Sequence, residues 1–274
     1  MTRLLLMKPS PFRLVTERFL LFNSKMAVIP KLLHFIADGC DISNKVITTI
    51  TNPEILSISV NRCKAITKQI LLLLKSPKLR SICMTGIDYS RPNISITDLL
   101  LIFSESCHIL EQFQMQLEPQ LNDVGMGYLL GMCDQIHTIV IDGSANVGDE
   151  TVNLMCHLQK LKHLSVSQCP RISSEAFCRL ILYRNHQLTT LNVSANRWVD
   201  SHVISRIVEC PLLETIDISL CAGLRGSDVL QLRDKKGCFF SRIGMQGLSQ
   251  VSNDTIAEVT SRFPKAMVSV ACSK

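Results

Sequence analysis

Aromatic residues make up only 5% of this 274-residue chain, with a single tryptophan at Trp198, and charged residues only 19%. Its core must therefore be aliphatic, and a hydrophobic content of 46% is enough to fold and excludes a disordered chain. No apolar run approaches the ~18 residues needed to span a bilayer; the longest candidate runs from Ile70 to Leu74. No membrane partner is expected.

The usual chemical signatures are also missing. There is no Cys-x-x-Cys, no close Cys/His cluster with zinc spacing, no glycine loop that would cradle a phosphate and no pair of carboxylates, and the seven histidines are dispersed. No metal, no cofactor and no catalytic residue is expected, so an enzyme is the less favoured class. Twelve cysteines without a small scaffold to staple fit free thiols in a reducing compartment, the cytoplasm or the nucleus.

The net charge of +6 is concentrated near the start, where Arg3, Lys8, Arg13, Arg18, Lys25 and Lys31 face Glu17 alone. The rest is nearly neutral and lacks the basic stripe that neutralises phosphates, so nucleic acid is not an expected partner. The first 22 residues, Arg-bearing and poor in acids, read either as an organellar transit peptide or as a basic amphipathic helix with Phe12, Val15, Phe19 and Leu20 on one side.

What the chain has is a repeat. In P-L-L-E-T-I-D-I-S-L-C-A-G-L, residues 211–224, apolar residues fall at offsets 2, 5, 7 and 13 from the proline and a cysteine at 10. The same frame fits copies starting at 53, 77, 108, 134, 159, 186, 211 and 238, spaced by 24 to 27 residues except for one step of 31. Each ends in a polar residue and a helical pattern, as at Asp149, Ser173/Ser174, Asp200/Ser201 and Asn253. This period predicts an α/β leucine-rich repeat solenoid, a right-handed βα horseshoe of about eight repeats over 53–274, with an N-terminal helical cap over 1–52.

Offset 10 is Cys63, Cys169 and Cys221 in three copies and Asn196 in a fourth, with Glu118, Ser144 and Leu248 elsewhere. Cys107, Cys133 and Cys210 precede offset zero. Offset 10 turns the chain out of the strand, where a small polar group serves unpaired backbone, and the three cysteines before offset zero sit at the end of the preceding helix. Strand side chains alternate, so offsets 4, 6 and 8 line the concave face. That face is small, polar and nearly uncharged, and its candidate partner-binding residues are Gln114, Gln116, Asp142, His163, Ser165, Ser167, Asn192, Ser194, Asp217 and Ser219. In D-K-K-G-C-F-F-S-R, either Phe239 or Phe240 fills the core of the last copy, and the pair could also mark a partner contact.

The Cys/Asn alternation, clearest in E-C-P-L-L-E-T-I-D-I-S-L-C, resembles the cysteine-containing leucine-rich repeats of F-box proteins. The layout of P-F-R-L-V-T-E-R-F-L, I-P-K-L-L-H-F-I-A-D-G-C-D-I-S-N-K-V-I and N-P-E-I-L-S-I-S-V-N-R-C resembles the antagonist of mitotic exit network family over nearly the whole chain. The resemblance implies a non-catalytic recognition protein with protein partners. One such role is the substrate-recognition subunit of a cullin-RING ubiquitin ligase in protein degradation or cell-cycle regulation, contacting a ligase adaptor and a substrate. The alternatives are a stoichiometric inhibitor of a signalling GTPase in mitotic exit, and a scaffold without ligase coupling. No F-box L-P-x-E start is present. Phe12, Thr16 and Leu20 have the spacing of a helix that binds elongin in some ligase receptors, and Ile29, Pro30 and Leu33 lie in a segment resembling a cullin-contact box. The same residues could instead cap the solenoid.

Overall fold

The computed structural model describes residues 2–6, 32–37, 54–62, 76–86, 95–235, 237 and 239–270. The chain divides into two compact units, residues 1–136 and 137–274. In the first, β1 (Thr2–Leu6), β2 (Leu32–Ala37), β3 (Ser57–Asn61), β4 (Ser81–Thr85) and β5 (Gln112–Gln116) pair in parallel and in chain order. Its described helices are α1 (Ile96–Ser106) and α2 (Asp123–Met132). In the second, β6 (Thr138–Val140), β7 (His163–Ser165), β8 (Thr190–Asn192), β9 (Thr215–Asp217), β10 (Arg242–Gly244) and β11 (Met267–Ser269) do the same. They alternate with α3 (Asp149–Met155), α4 (Ser174–Arg184), α5 (Ser201–Ile207), α6 (Gly226–Leu230) and α7 (Asn253–Arg262). A strand, a crossover and a parallel neighbour, repeated in order, is a leucine-rich repeat solenoid.

The frame read from the sequence matches the strands closely. In all eight copies the strand opens at offset 4, and the side chains at offsets 2, 5 and 7 are buried to 2% exposure or less, from Ile55, Ile58 and Val60 to Phe240, Ile243 and Met245. Offset 13 is buried in Leu121, Val147, Ile172, Val199 and Leu224 but only half-buried at Val251. Phe240 enters the core at 2% exposure, whereas Phe239 stays 58% exposed with the Arg262 guanidinium 4.7 Å from its ring centre.

Helix starts agree in part. Ser173 and Asp200 accept from the N–H groups of Ala176 and Val203, as N-caps should. Asp149 is instead the first residue of α3, and its two carboxylate oxygens take the Ser173 N–H and hydroxyl, each at 2.7 Å. Ser252, one residue before Asn253, caps α7.

The segment expected to be a helical cap differs more. Its described residues are strands, and the register Phe35 to Ile58 carries the repeat frame upstream. Pro30 then falls at offset zero, Leu32 at 2, Phe35 at 5, Ala37 at 7 and Cys40 at 10. P-K-L-L-H-F-I-A-D-G-C thus reads as one more copy beside P-E-I-L-S-I-S-V-N-R-C, and the strand ladder crosses the expected boundary at residue 53. Leu33 is a half-buried strand residue whose carbonyl accepts from the Leu56 N–H. Phe12, Thr16, Leu20, Ile29 and Pro30 lie outside the described residues.

Candidate protein-recognition surface

At the end of each strand the chain must turn away from the sheet while its last polar backbone groups leave the ladder, and one column of side chains answers that need. Offset 10 is buried wherever it is described, at Glu118, Ser144, Cys169, Asn196, Cys221 and Leu248. At Cys169, Asn196 and Cys221 the side chain at this offset serves the preceding copy in a fixed way. The Cys169 thiol donates to the Ile141 carbonyl (3.4 Å), the Asn196 amide to Val166 (2.8 Å) and the Cys221 thiol to Val193 (3.3 Å), all carbonyls at offset 7. In return the Asn196 carbonyl oxygen accepts from the Cys169 N–H (2.8 Å), and the sulfurs of Cys169 and Cys221 are faced by backbone N–H groups at Ser144 and Asn196. The site asks for one small group that both donates and accepts, which cysteine and asparagine can do. Trp198 adds its indole N–H to the Cys169 carbonyl at 3.0 Å and packs against Phe177 with the rings tilted by 43° and centroids 4.7 Å apart.

The cysteines before offset zero form a second, shorter ladder: the Cys107 thiol donates to the Ser76 carbonyl and the Cys133 thiol to the Cys107 carbonyl. Burial pushes Cys133, Cys169 and Cys210 up to about 12 and Cys221 to about 11. These thiols are protonated and inert. At pH 8 the folded protein should alkylate, among its described cysteines, first at the half-buried Cys83 and Cys178, with those four protected at least a hundredfold relative to urea, as read by mass spectrometry. The sign of the linked stability follows. Between about pH 9 and 12 the unfolded chain releases protons that the folded chain keeps, so stability falls as pH rises through that window.

The open face of each sheet carries the alternate residues. Gln114 and Gln116 lie on the face of the first unit, where the Cys83 thiol, half-buried, sits 3.6 Å from both the Asn61 and the Gln114 carbonyl oxygens and Ser81 donates to Gln112. The other eight predicted residues share the face of the second unit, and all are half-buried except Ser219, at 8% exposure. They are tied sideways. Asp142 accepts from the Ser165 hydroxyl (2.6 Å) and the Ser167 N–H (2.8 Å), the Ser194 hydroxyl donates to Ser167, and the Gln246 N–H donates to the Ser219 hydroxyl. Asp217 accepts from the Ser219 N–H and lies over Gly244, where a Cβ would meet its carboxylate at 2.4 Å. His163 is held below its ordinary value by burial first, then by His137 and Lys162.

Sequence reasoning missed offset 9. Arg62, Gly86, Leu117, Gly143, Gln168, Ala195, Leu220 and Gly247 occupy that offset in the eight copies, and every one has φ between 54° and 74°. This left-handed region favours glycine, and glycine at three of these positions, plus Gly39 in the upstream copy, was the available signal. Leucine stands there twice, 63% exposed at Leu117 and 57% exposed at Leu220.

Among the described residues no group of three or more His, Cys, Asp or Glu is placed to hold a metal ion, and no helix is long and apolar enough to cross a membrane.

No family model and no curated protein matches the chain. Among solved structures it is similar to a chain of the yeast Rad7–Elc1 complex, with a TM-score of 0.71 and 13% identity over 82% of this chain. It spans only 57% of that chain. It is also similar to the internalin InlF of Listeria monocytogenes, with a TM-score of 0.50 and 13% identity, covering 92% of this chain and 77% of that one. At such identities the likeness establishes the leucine-rich repeat fold alone.

Proposed function

We propose that this chain is a non-catalytic protein-interaction module, and that it serves as the substrate-recognition subunit of a cullin-RING ubiquitin ligase in protein degradation or cell-cycle regulation. The observation that carries the interaction reading is the open face of residues 137–274. Its small hydroxyl, amide and carboxylate groups are held in position by lateral hydrogen bonds, so little side-chain freedom is lost when a partner settles on them. Small side chains also let a partner's backbone approach closely enough to bond. The ligase part is supported by the resemblance of the repeats to the cysteine-containing class and by the fold shared with a chain found in the two-protein Rad7–Elc1 complex.

The test is recovery of partners with the full chain from cells, beside a Ser165→Arg/Asn192→Arg variant that places two large cations in the middle of the face. The expected result is a cullin or its adaptor with both chains, and a further protein, stabilised by proteasome inhibition, with the parent alone. Recovery of every partner by the variant would sink face recognition. The lack of any cullin or adaptor would sink the ligase role.

A further inference from the structure

We propose that Leu220 and Asp217 form the anchoring contact on the open face of residues 137–270 for an extended segment of a protein partner that carries a basic side chain near an apolar one. This rests on the reading of that face as an interaction surface and names the chemistry it selects.

Leu220 is disfavoured by the fold in two ways. Its φ of 58° is a conformation that a branched side chain rarely adopts, and its side chain is 57% exposed. Both penalties would vanish with glycine, the residue at the same offset in Gly143 and Gly247. The surroundings fit a raised apolar contact. Ala195 precedes it in the column and Gly247 follows, and a Cβ on Gly247 would collide with the Leu220 Cδ2 at 2.4 Å, so the leucine lies across a neighbour that has no side chain. The backbone conformation is common to the whole column; what sets Leu220 apart is a large exposed apolar side chain between Ala195 and Gly247 in that column. Leu117 repeats the conformation within residues 1–136, at 63% exposure and φ 55°.

Asp217 gives the partner its charge. Three residues before Leu220, its carboxylate turns sideways over Gly244, takes one neutral N–H from Ser219, and forms no ion pair among the described residues. The cation on the next strand, Arg242, stands two residues before Gly244 on the same face of β10, is exposed, and forms no ion pair with Asp217. A half-buried carboxylate that forms no ion pair among the described residues, three residues from an apolar knob, complements a lysine or arginine placed close to a leucine-like side chain.

The probes are fluorescein-labelled serine-rich decapeptides in which Lys and Leu are separated by one to three serines, with controls that replace Lys by Glu or Leu by Ser, read by polarisation with the full chain. At least one Lys/Leu peptide should bind tenfold more tightly than both of its controls. Leu220→Gly should lower that affinity at least fivefold while the melting temperature stays within about 2 °C of the parent or rises, since the strain is relieved. Asp217→Asn should remove the preference for Lys over Glu, and its weakening by salt, with Leu220 intact. Equal binding by all peptides, or a melting temperature lowered by more than about 4 °C in Leu220→Gly, overturns the proposal. A cellular partner lost with Ser165→Arg/Asn192→Arg but retained by Leu220→Gly overturns it while leaving face recognition standing.

Discussion

Asn196→Ala should destabilise the second unit by about 2–5 kcal/mol, because two buried backbone groups lose their partners at once. Asn196 is 1% exposed. Its amide donates to the carbonyls of Val166 (2.8 Å), Val193 (3.0 Å) and Ser194 (3.2 Å), and its oxygen accepts from the Cys169 N–H (2.8 Å). Alanine leaves the Val166 carbonyl and the Cys169 N–H buried without a partner, whereas the Val193 carbonyl keeps the Cys221 thiol and the Ser194 carbonyl keeps the Gln168 N–H. Asn196→Cys should cost markedly less, since a thiol at this offset reaches the offset-7 carbonyl in two neighbouring copies. Asn196→Asp should resemble alanine or be worse, since it offers no amide donor and buries a charge. Trp198, the sole tryptophan, reports the transition by fluorescence in urea, with its indole already bonded to the Cys169 carbonyl. Equal midpoints for alanine and cysteine would show that the column fills space and does not satisfy backbone.

The same column shows what was legible in the sequence and why. The period, the strands and the core offsets could be read because burial between sheet and helix requires apolar side chains at every turn of the repeat, and eight copies average out local noise. That Cys and Asn share offset 10 could also be read, but the partners could not. They are carbonyls and amides about 25 residues away, whose positions depend on register. Glu118 and Ser144 looked like breaks in the pattern, yet both are buried at the same place. The Ser144 hydroxyl has no partner among the described residues, and Glu118 accepts from the Gln120 N–H, so departures in sequence are here changes in bonding and not in fold.

The candidate surface was legible by alternation alone, because a strand that buries Ile216 must turn Thr215 and Asp217 the other way. Its interactions were not. Nothing in T-I-D-I-S-L says that Asp217 reaches across the next strand, since that depends on Gly244, 27 residues on, having no side chain in the way. Offset 9 failed for a different reason. A search for apolar columns discards a position filled by Arg, Gly, Leu, Gln and Ala, although what these residues share is a backbone conformation. The upstream copy at Pro30 was hidden by the resemblance of I-P-K-L-L to a docking box, which set a functional reading on residues that the repeat frame also explains.

Leu191→Ala should cost about 2–5 kcal/mol, whereas Thr190→Ala one residue away should stay within about 0.5 kcal/mol. Leu191 is fully buried in β8, in register with Leu164 on β7 and Ile216 on β9, and both of those are buried too. Truncation removes three carbons from a layer that three consecutive copies share, and a short strand fixed on both sides collapses poorly into the space. Thr190 points to the open face, half-buried, and makes no contact that the layer depends on. Because repeats are stabilised by their neighbours, the loss should propagate outward from β8. Amide exchange should therefore accelerate first in β7 to β9 and least in β11, with the urea midpoint falling accordingly. A Leu191→Ala chain that melts with the parent would mean that β8 is out of frame, and with it the assignment of Asn192 and Ser194 to the face a partner reads.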